Sequence, residues 1–262
     1  GFLNNRYSLE VDYYNKRTKD LLLNRPIPGT AGETRLENVG EIENKGFESS
    51  INSLNIDKPD FTWSTNLTIS ANKNKVLSIG DGQEFINLNN PNNSSGPSIR
   101  IMPGQPAPVF LGATYLGTYK TPAEIDSDGI VGSVIGGPRY IDLDGNGAIN
   151  QLDFIVHGDP NPEFYGGIRN TITYKEFTLD FFFHGSYGNE ILNGAYHLGY
   201  FGRDPRSNLL PIVKDRWTTS NQNSDIPRAG SSFGNYQQRS DVSYQDGSFL
   251  RLKNVTLTYD LD

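Results

Sequence analysis

Residues 140–188, YIDLDGNGAINQLDFIVHGDPNPEFYGGIRNTITYKEFTLDFFFHGSYG, join an acidic loop at 142–153 to two runs whose apolar residues recur at every second position. In a helix–loop–helix calcium sensor, a loop of this kind leads into a helix. Here Gly158, Pro160 and Pro162 intervene, and the chain then alternates. Phe177, Leu179, Phe181 and Phe183 oppose Thr178, Asp180, Phe182 and His184. Period two puts one set of side chains on each face of a strand. The runs at 164–174 and 177–187 are about 11 residues long, which suits a tilted membrane-crossing strand better than the five or six of a soluble sheet.

Four more runs follow the same rule. At 6–15, Tyr7, Leu9, Val11 and Tyr13 share a side; at 43–55, Phe47, Ser49, Ile51 and Ser53 do. At 61–72, Phe61, Trp63, Thr65, Leu67, Ile69 and Ala71 oppose a polar set. At 248–260, Phe249, Val255, Leu257 and Tyr259 align, and simple alternation assigns Arg251 and Lys253 to that same apolar side, where their charges would snorkel. Aromatic residues gather near the strand ends, as a membrane-interface girdle requires. Short connections at 56–60 and 175–176 alternate with long ones at 16–42, 73–163 and 188–247. Outer-membrane barrels pair short periplasmic turns with long extracellular loops. The fold class expected is therefore all-β, an antiparallel transmembrane β-barrel portion of about six strands, with 73–163 and 188–247 extracellular.

Composition agrees. Hydrophobic residues make up 35% of the 262, low for a globular core but sufficient for strands with one apolar face. The net charge of -7 leaves no basic stripe for nucleic acid. Cysteine is absent, which excludes a disulfide framework and thiolate chemistry. No run of about 18 apolar residues is present to make a transmembrane helix.

The acidic loop carries the metal-type chemistry. Asp142, Asp144 and Asn146 offer side-chain oxygens at positions 1, 3 and 5, and Gly147 supplies the sharp turn at position 6. Ala148 offers its carbonyl at position 7, Ile149 pins the loop to its neighbours, Asn150 serves position 9, and Asp153 closes at position 12. Ca2+ takes six to eight hard oxygens in flexible geometry, so a structural Ca2+ site is expected. A metal-free Asp/Gly/Asn turn uses the same residue types. Asp126, Asp128 and Gly129 read as a plain turn. Residues 207–220 read as a short helix capped by Ser207 and anchored by Trp217.

Tyr115, Tyr119, Tyr196, Tyr200 and Tyr236 are the candidate substrate-binding residues, as rings able to stack on sugars. Arg100, Arg203, Arg206 and Arg228 offer positive charge in the same loops. Glu41, Glu43 and Glu48 read as polar lining rather than an acid/base pair. His157, His184 and His197 are the only histidines, and no nucleophile or zinc-protease motif accompanies them; no enzyme is expected.

GFLNNRYSLEVDYYNKRTKDLLL, ENVGEIENKGFESSI, MPGQPAPVFLGATYLGTYKT, DLDGNGAINQLDFIVHGDPNPEFYGGIRNTITYKEF and DRWTTSNQNSDIP, in that order, resemble the C-terminal half of a SusC/RagA-type TonB-dependent outer-membrane transporter of Bacteroidota. The resemblance implies a 22-stranded barrel with an N-terminal plug and energy delivered through TonB. It also implies a SusD-like surface lipoprotein as lid, and oligosaccharide or peptide cargo. The plug and most strands have no counterpart in these residues, so they read as a piece of something larger. The function expected is outer-membrane import; the alternative is a secreted or surface-anchored calcium-dependent glycan-binding β module.

Overall fold

A computed structural model of the chain describes residues 3, 6–26, 34–80, 82–88, 98–196, 208–230 and 240–261. Strands β1 (Tyr7–Pro26), β2 (Thr34–Lys58) and β3 (Phe61–Ile79) form an antiparallel meander. The chain then leaves the sheet through short strands β4 (Ile86–Asn87), β5 (Ser98–Ile101), β6 (Val109–Gly112) and β7 (Tyr115–Thr118). Helix α1 (Pro122–Asp128), β8 (Pro138–Tyr140) and β9 (Ile155–Gly158) complete this excursion. It returns as the hairpin β10 (Phe164–Tyr174) and β11 (Phe177–Tyr187). A second excursion contains β12 (Glu190–Leu192) paired with β13 (Tyr244–Asp246), and β14 (Phe249–Tyr259) rejoins the sheet.

The large sheet has the order β1-β2-β3-β10-β11-β14, with every neighbour antiparallel. Residues facing one another across antiparallel strands share a face. Leu9, Ile51, Leu67, Ile168, Phe183 and Leu252 thus form one apolar row across all six strands. One residue along, Glu10, Ser50, Thr68, Gly167, His184 and Arg251 form the corresponding row on the other face. Among the described residues no layer covers the apolar face: Leu9, Leu67, Leu252 and Leu257 are all exposed. Left in water, each such side chain forgoes roughly 1.5–3 kcal/mol of burial; in hydrocarbon it forgoes none. Apart from Val76 and Ile79 at the upper end of β3, the buried apolar residues sit in the two excursions, among them Val109, Leu111, Ala113, Ile130 and Tyr140.

Aromatic pairs bracket the apolar band. Phe177 meets Tyr259 at 4.8 Å and Phe61 meets Tyr174 at 6.5 Å at the tight-turn end; Phe164 stacks on Tyr187 at 5.2 Å at the other. The ten-residue step from one end to the other is about 33 Å of strand, or roughly 25 Å of height once tilted by about 40°. That equals the apolar band of an outer-membrane barrel.

Several expectations change. β1, β2 and β3 all run past the limits that alternation sets, so most of 16–42 is ladder rather than loop. β1 pairs with β2 from Tyr7 opposite Ser53 to Pro26 opposite Thr34. Above Tyr13 the apolar alternation ends while the backbone hydrogen bonds continue. Ion pairs take over: Arg17 with Glu41 across the two strands, and Lys45 with Glu43 at 2.8 Å within β2. Beyond the level of Tyr13, β1 and β2 rise for about 13 residues, roughly 40 Å. β3 supports them only as far as Ile79 opposite Gly40.

Arg251 and Lys253 do not share the apolar side. The β11–β14 ladder shifts register beside Phe182 and Phe183: Phe182 faces Asn254, whereas Phe183 faces Leu252. The extra residue, Lys253, inverts parity for everything before it. Leu250 and Leu252 therefore join the apolar face, and Phe249 and Arg251 join the polar one. The helix expected at 207–220 is a single 3-10 turn, Pro211–Asp215, begun by Leu210 and Pro211; Ser207 lies outside the described residues.

Ser49, Ser53, Thr65 and Asn170 are polar positions on the apolar face, and Asn170 is the most buried of them. It is buried, and its Oδ1 accepts from Trp63 Nε1 at 2.9 Å and Thr65 Oγ1 at 2.7 Å. Thr65 Oγ1 in turn accepts from Asn55 Nδ2 at 2.7 Å. The polar atoms satisfy one another, which is the condition for placing them there.

Candidate functional site

The acidic loop is built onto α1. Thr121 caps the helix, Glu124 completes the capping box, and Gly129 ends it with φ 66°. Arg139 on β8 then grips the helix, with Nε 2.7 Å and Nη2 3.0 Å from the Asp128 carboxylate and Nη1 3.2 Å from Glu124. The Arg139 guanidinium holds Asp128 below the usual carboxylate range. Backbone N–H groups of Lys120 and Thr121 do the same for Glu124. Asp128 therefore belongs to a helix end and an ion pair.

Past the helix, the Val131 N–H donates to the Gly147 carbonyl at 2.9 Å, docking the acidic loop against 129–131. Gly147 has φ 76°, and a Cβ there would lie 3.1 Å from the Gly129 carbonyl oxygen. Ile149 is buried in a core with Ala113, Ile130 and Tyr140, as its apolar character in a polar loop implies.

Within the loop, Asp142, Asp144 and Asp153 each present a carboxylate oxygen, all within 4.8 Å of one another. Two oxygens on opposite sides of a Ca2+ ion at 2.3–2.6 Å stand about 5 Å apart, so the spacing fits that ion. Asp153 is fully buried, and its carboxylate accepts from Leu143 N at 2.8 Å and Asn150 N at 2.7 Å. Asp142 accepts from Gly145 N and Gly147 N, both at 2.8 Å. Desolvation pushes the Asp142 carboxyl up, but these N–H groups outweigh it and leave the carboxyl below its ordinary value. The other three expected ligands are engaged locally. Asn146 Oδ1 accepts from Ala148 N at 2.8 Å, the Ala148 carbonyl from Asn150 Nδ2 at 3.1 Å, and Asn150 Oδ1 from Leu152 N at 2.8 Å.

The second excursion docks on the first through Trp217, whose ring lies on Gly136; a Cβ at Gly136 would stand 2.4 Å from Trp217 Cδ2. Lys120 Nζ reaches Asp225 at 3.0 Å, and Thr118 Oγ1 donates to the Ser224 carbonyl at 2.7 Å.

The candidate stacking residues divide. Tyr119 is buried, with Arg139 5.7 Å from its ring centre, so its faces are covered and it offers no platform. Tyr115 packs on Tyr140 at 5.4 Å, and its hydroxyl donates to the Asp225 carbonyl. Tyr196 packs beside Ile226. Tyr200 and Tyr236, with His197, Arg203 and Arg206, lie outside the described residues. Arg100 is buried, bonded to Asn87 and Gln151 at 2.9 Å each and lying over Phe85; Arg228 bonds the Ile135 carbonyl at 3.4 Å. Both serve the loop fold. His157 lies against Tyr244 at 6.1 Å, with its Nε2 3.0 Å from the Gly112 carbonyl oxygen.

Sequence reasoning missed one cluster on the polar face, comprising Phe182, His184, Phe249, Arg251 and Lys253. Simple alternation split it between two faces, and only the bulge at Lys253 reunites it.

Residues 2–170 match the family described as TonB dependent receptor-like, beta-barrel. The chain is 40% identical over 263 residues to TonB-dependent receptor P26 of Formosa agariphila, covering 100% of this chain and 26% of that protein. It is 26% identical to TonB-dependent receptor SusC of Bacteroides thetaiotaomicron, covering 99% and 25%. A solved structure described as the RagAB peptide transporter superposes with a TM-score of 0.78 at 24% identity, over 98% of this chain and 27% of that one; this likeness is one of fold. The chain spans about a quarter of the length of the curated relatives it matches.

Proposed function

Because this chain belongs to the TonB-dependent receptor β-barrel family, we propose that it forms part of the wall and vestibule of an outer-membrane importer. The observation that carries the reading is the register. One face of six antiparallel strands is mainly apolar and, among the described residues, uncovered, bracketed by aromatic pairs, while the opposite face is mainly polar. A water-soluble glycan-binding module would leave that face as an aggregation surface. In this reading the tight turns are periplasmic, and the excursions at 80–163 and 188–248 are extracellular.

The cargo in this reading is oligosaccharide, as the resemblance in sequence to SusC/RagA-type transporters implies, with peptide, the cargo named for the RagAB peptide transporter, as the second class. A SusD-like surface lipoprotein lies over the vestibule, and TonB acts through a region outside these residues. The wall and vestibule bind and gate, with no covalent step. In the vestibule, Asp142, Asp144, Asn146, Ala148, Asn150 and Asp153 hold Ca2+ as a structural brace. The ion adds positive charge where three carboxylates converge, and so ties 142–153 to α1 through Val131 and Ile149.

Co-purification of the full-length protein from native membranes tests the transporter reading. The expected result is a detergent-requiring complex with a lipoprotein; a monodisperse protein in buffer without detergent would refute it. For the brace, hydrogen exchange of 120–163 should slow when Ca2+ replaces a chelator, and identical exchange in the two conditions would remove the ion from the account.

A further inference from the structure

We propose that the polar face of β11 and β14 carries a subsite for a carboxylate on the cargo, formed by Arg251 and Lys253 beside the rings of Phe182, His184 and Phe249. The proposal rests on the importer reading, in which this face lines the transport path.

The bulge at Lys253 is what assembles the group. It sets Arg251 opposite His184 and Phe249 opposite Ser186, on the face that elsewhere carries Ser, Thr, Asn and Glu. The rings are ordered against one another. Phe182 and His184 are nearly parallel at 6.1 Å and 15°, and Phe249 stands edge-on to His184 at 5.1 Å and 80°. Phe182 lies down on Gly167, where a Cβ would come 2.6 Å from its ring, so one ring face is turned away from the wall. Phe182, His184 and Phe249, with Tyr165 and Lys253, border a hollow of about 420 Å³, and Arg251 stands next to it beside Phe249. Apolar rings left facing water on an otherwise polar surface mark a contact.

Charge identifies the contact. On the same face Arg169 pairs with Asp180 at 2.7 Å, and higher on the strands Arg17 pairs with Glu41 and Lys45 with Glu43 at 2.8 Å. Among the described residues no carboxylate lies within 4.0 Å of Arg251 or Lys253, and Arg251 instead sits 5.3 Å from the Phe249 ring centre. Arg169 and Asp180, on the same face, neutralise each other. The acidic side chains Glu10, Asp12 and Glu48 belong to β1 and β2, three or more strands away from β11, or roughly 15–20 Å. That exceeds the screening length of about 8–10 Å. Two unneutralised cations in a chain of net charge -7 thus stand beside flat rings.

An Arg fork presents paired N–H groups to a carboxylate, and the rings take the apolar face of whatever carries it. A uronate within an oligosaccharide and the C-terminal carboxylate of a peptide both have this chemistry. A wall subsite on a transport path must also release its ligand, so the affinity is modest.

The test uses the full-length protein in detergent with four probes: tri-galacturonate, its methyl ester, trialanine and trialanine amide. Calorimetric or NMR titration of the wild type should show an acid binding about tenfold or more tightly than its neutral derivative. The double variant R251Q/K253Q should abolish that difference, and R251K should restore part of it. Loss for tri-galacturonate assigns the subsite to acidic oligosaccharides; loss for trialanine assigns it to peptides. Equal binding of acid and neutral probe by the wild type, or an unchanged preference in the double variant, overturns the proposal. Each variant must retain heat-modifiable mobility on SDS gels. Co-purification with a lipoprotein, unaffected by these substitutions, tests the importer reading separately.

Discussion

Asp153→Ala probes the acidic loop where its hydrogen bonding is most concentrated. The carboxylate is fully buried and accepts from Leu143 N at 2.8 Å and Asn150 N at 2.7 Å. Truncation leaves two shielded N–H groups without acceptors, at about 1–3 kcal/mol each. Partial relaxation of an otherwise polar loop favours the lower half of that sum, about 3 kcal/mol. At about 1.4 kcal/mol per tenfold, the open form of the loop becomes roughly 100-fold more populated. The assay is hydrogen exchange of the full-length protein in detergent, with chelator present so that the hydrogen bonds alone are read. The amides of Leu143 and Asn150 should lose about two decades of protection, while those of β10 and β11 stay unchanged. Asp153→Asn keeps one acceptor and should lose about one decade. If both amides keep wild-type protection in Asp153→Ala, the carboxylate does not organise the loop. If protection falls equally in β10 and β11, the loop and the wall are one cooperative unit, and the division between them is wrong.

Three further substitutions or conditions test neighbouring inferences. Trp217→Ala removes the ring that seats 208–230 on Gly136; at about 3–5 kcal/mol for a large core truncation, cleavage within 208–230 should accelerate with the sheet intact. Gly46→Ala puts a Cβ 2.2 Å from the Tyr14 ring, displacing it and its 3.2 Å bond to Asn72, so the melting temperature should fall. Adding Tyr14→Ala should recover part of that fall, and a double variant less stable than Gly46→Ala alone would contradict the clash. Asp128 and Glu124 have carboxyl groups held below their ordinary values of 3.8 and 4.5, so their contribution is present above those values and lost as pH falls through the lowered ones. Exchange in 122–140 should therefore rise only below about pH 4; a rise near pH 6 would exclude Arg139 as the clamp.

What the sequence reveals depends on whether its pattern has one meaning. At 164–174 and 177–187, alternation between an apolar and a polar face coincides with strand limits, and the structure returns β10 and β11 with those bounds. In the upper parts of β1 and β2, the ladder persists while the strict apolar–polar alternation stops, as the consecutive Leu21, Leu22 and Leu23 show. The hydrophobic period therefore reports where contact with apolar surroundings ends, and the hydrogen bonds go further. At Lys253 a single inserted residue changes parity with no mark in composition, so Arg251 is assigned to the wrong side until the pairing with His184 is seen. The acidic loop is plain in sequence because its 1, 3, 5 and 12 spacing and the apolar Ile149 are local. The engagement of Ala148 and Asn150 with each other is a backbone detail that spacing does not report. Tyr119 shows a further limit: a tyrosine in a long polar loop is as useful for the loop's own core as for a ligand, and only its burial decides.

The unequal height of the wall has a mechanical consequence. β10, β11 and β14 stop near the level of the Phe164 and Tyr187 pair, while the β1–β2 hairpin continues for roughly 40 Å and loses β3 as a buttress at Ile79. The hairpin is a lever arm clamped at one end. Above Gly40 the free arm is about six residues, roughly 20 Å, and a rotation of about 5° at its base carries its tip about 1.7 Å sideways. Any body touching the tip therefore applies torque to β2 and β3, and through the ladder to β10. Displacement high above the sheet is thereby converted into strain in the strands beside the hollow at Phe182.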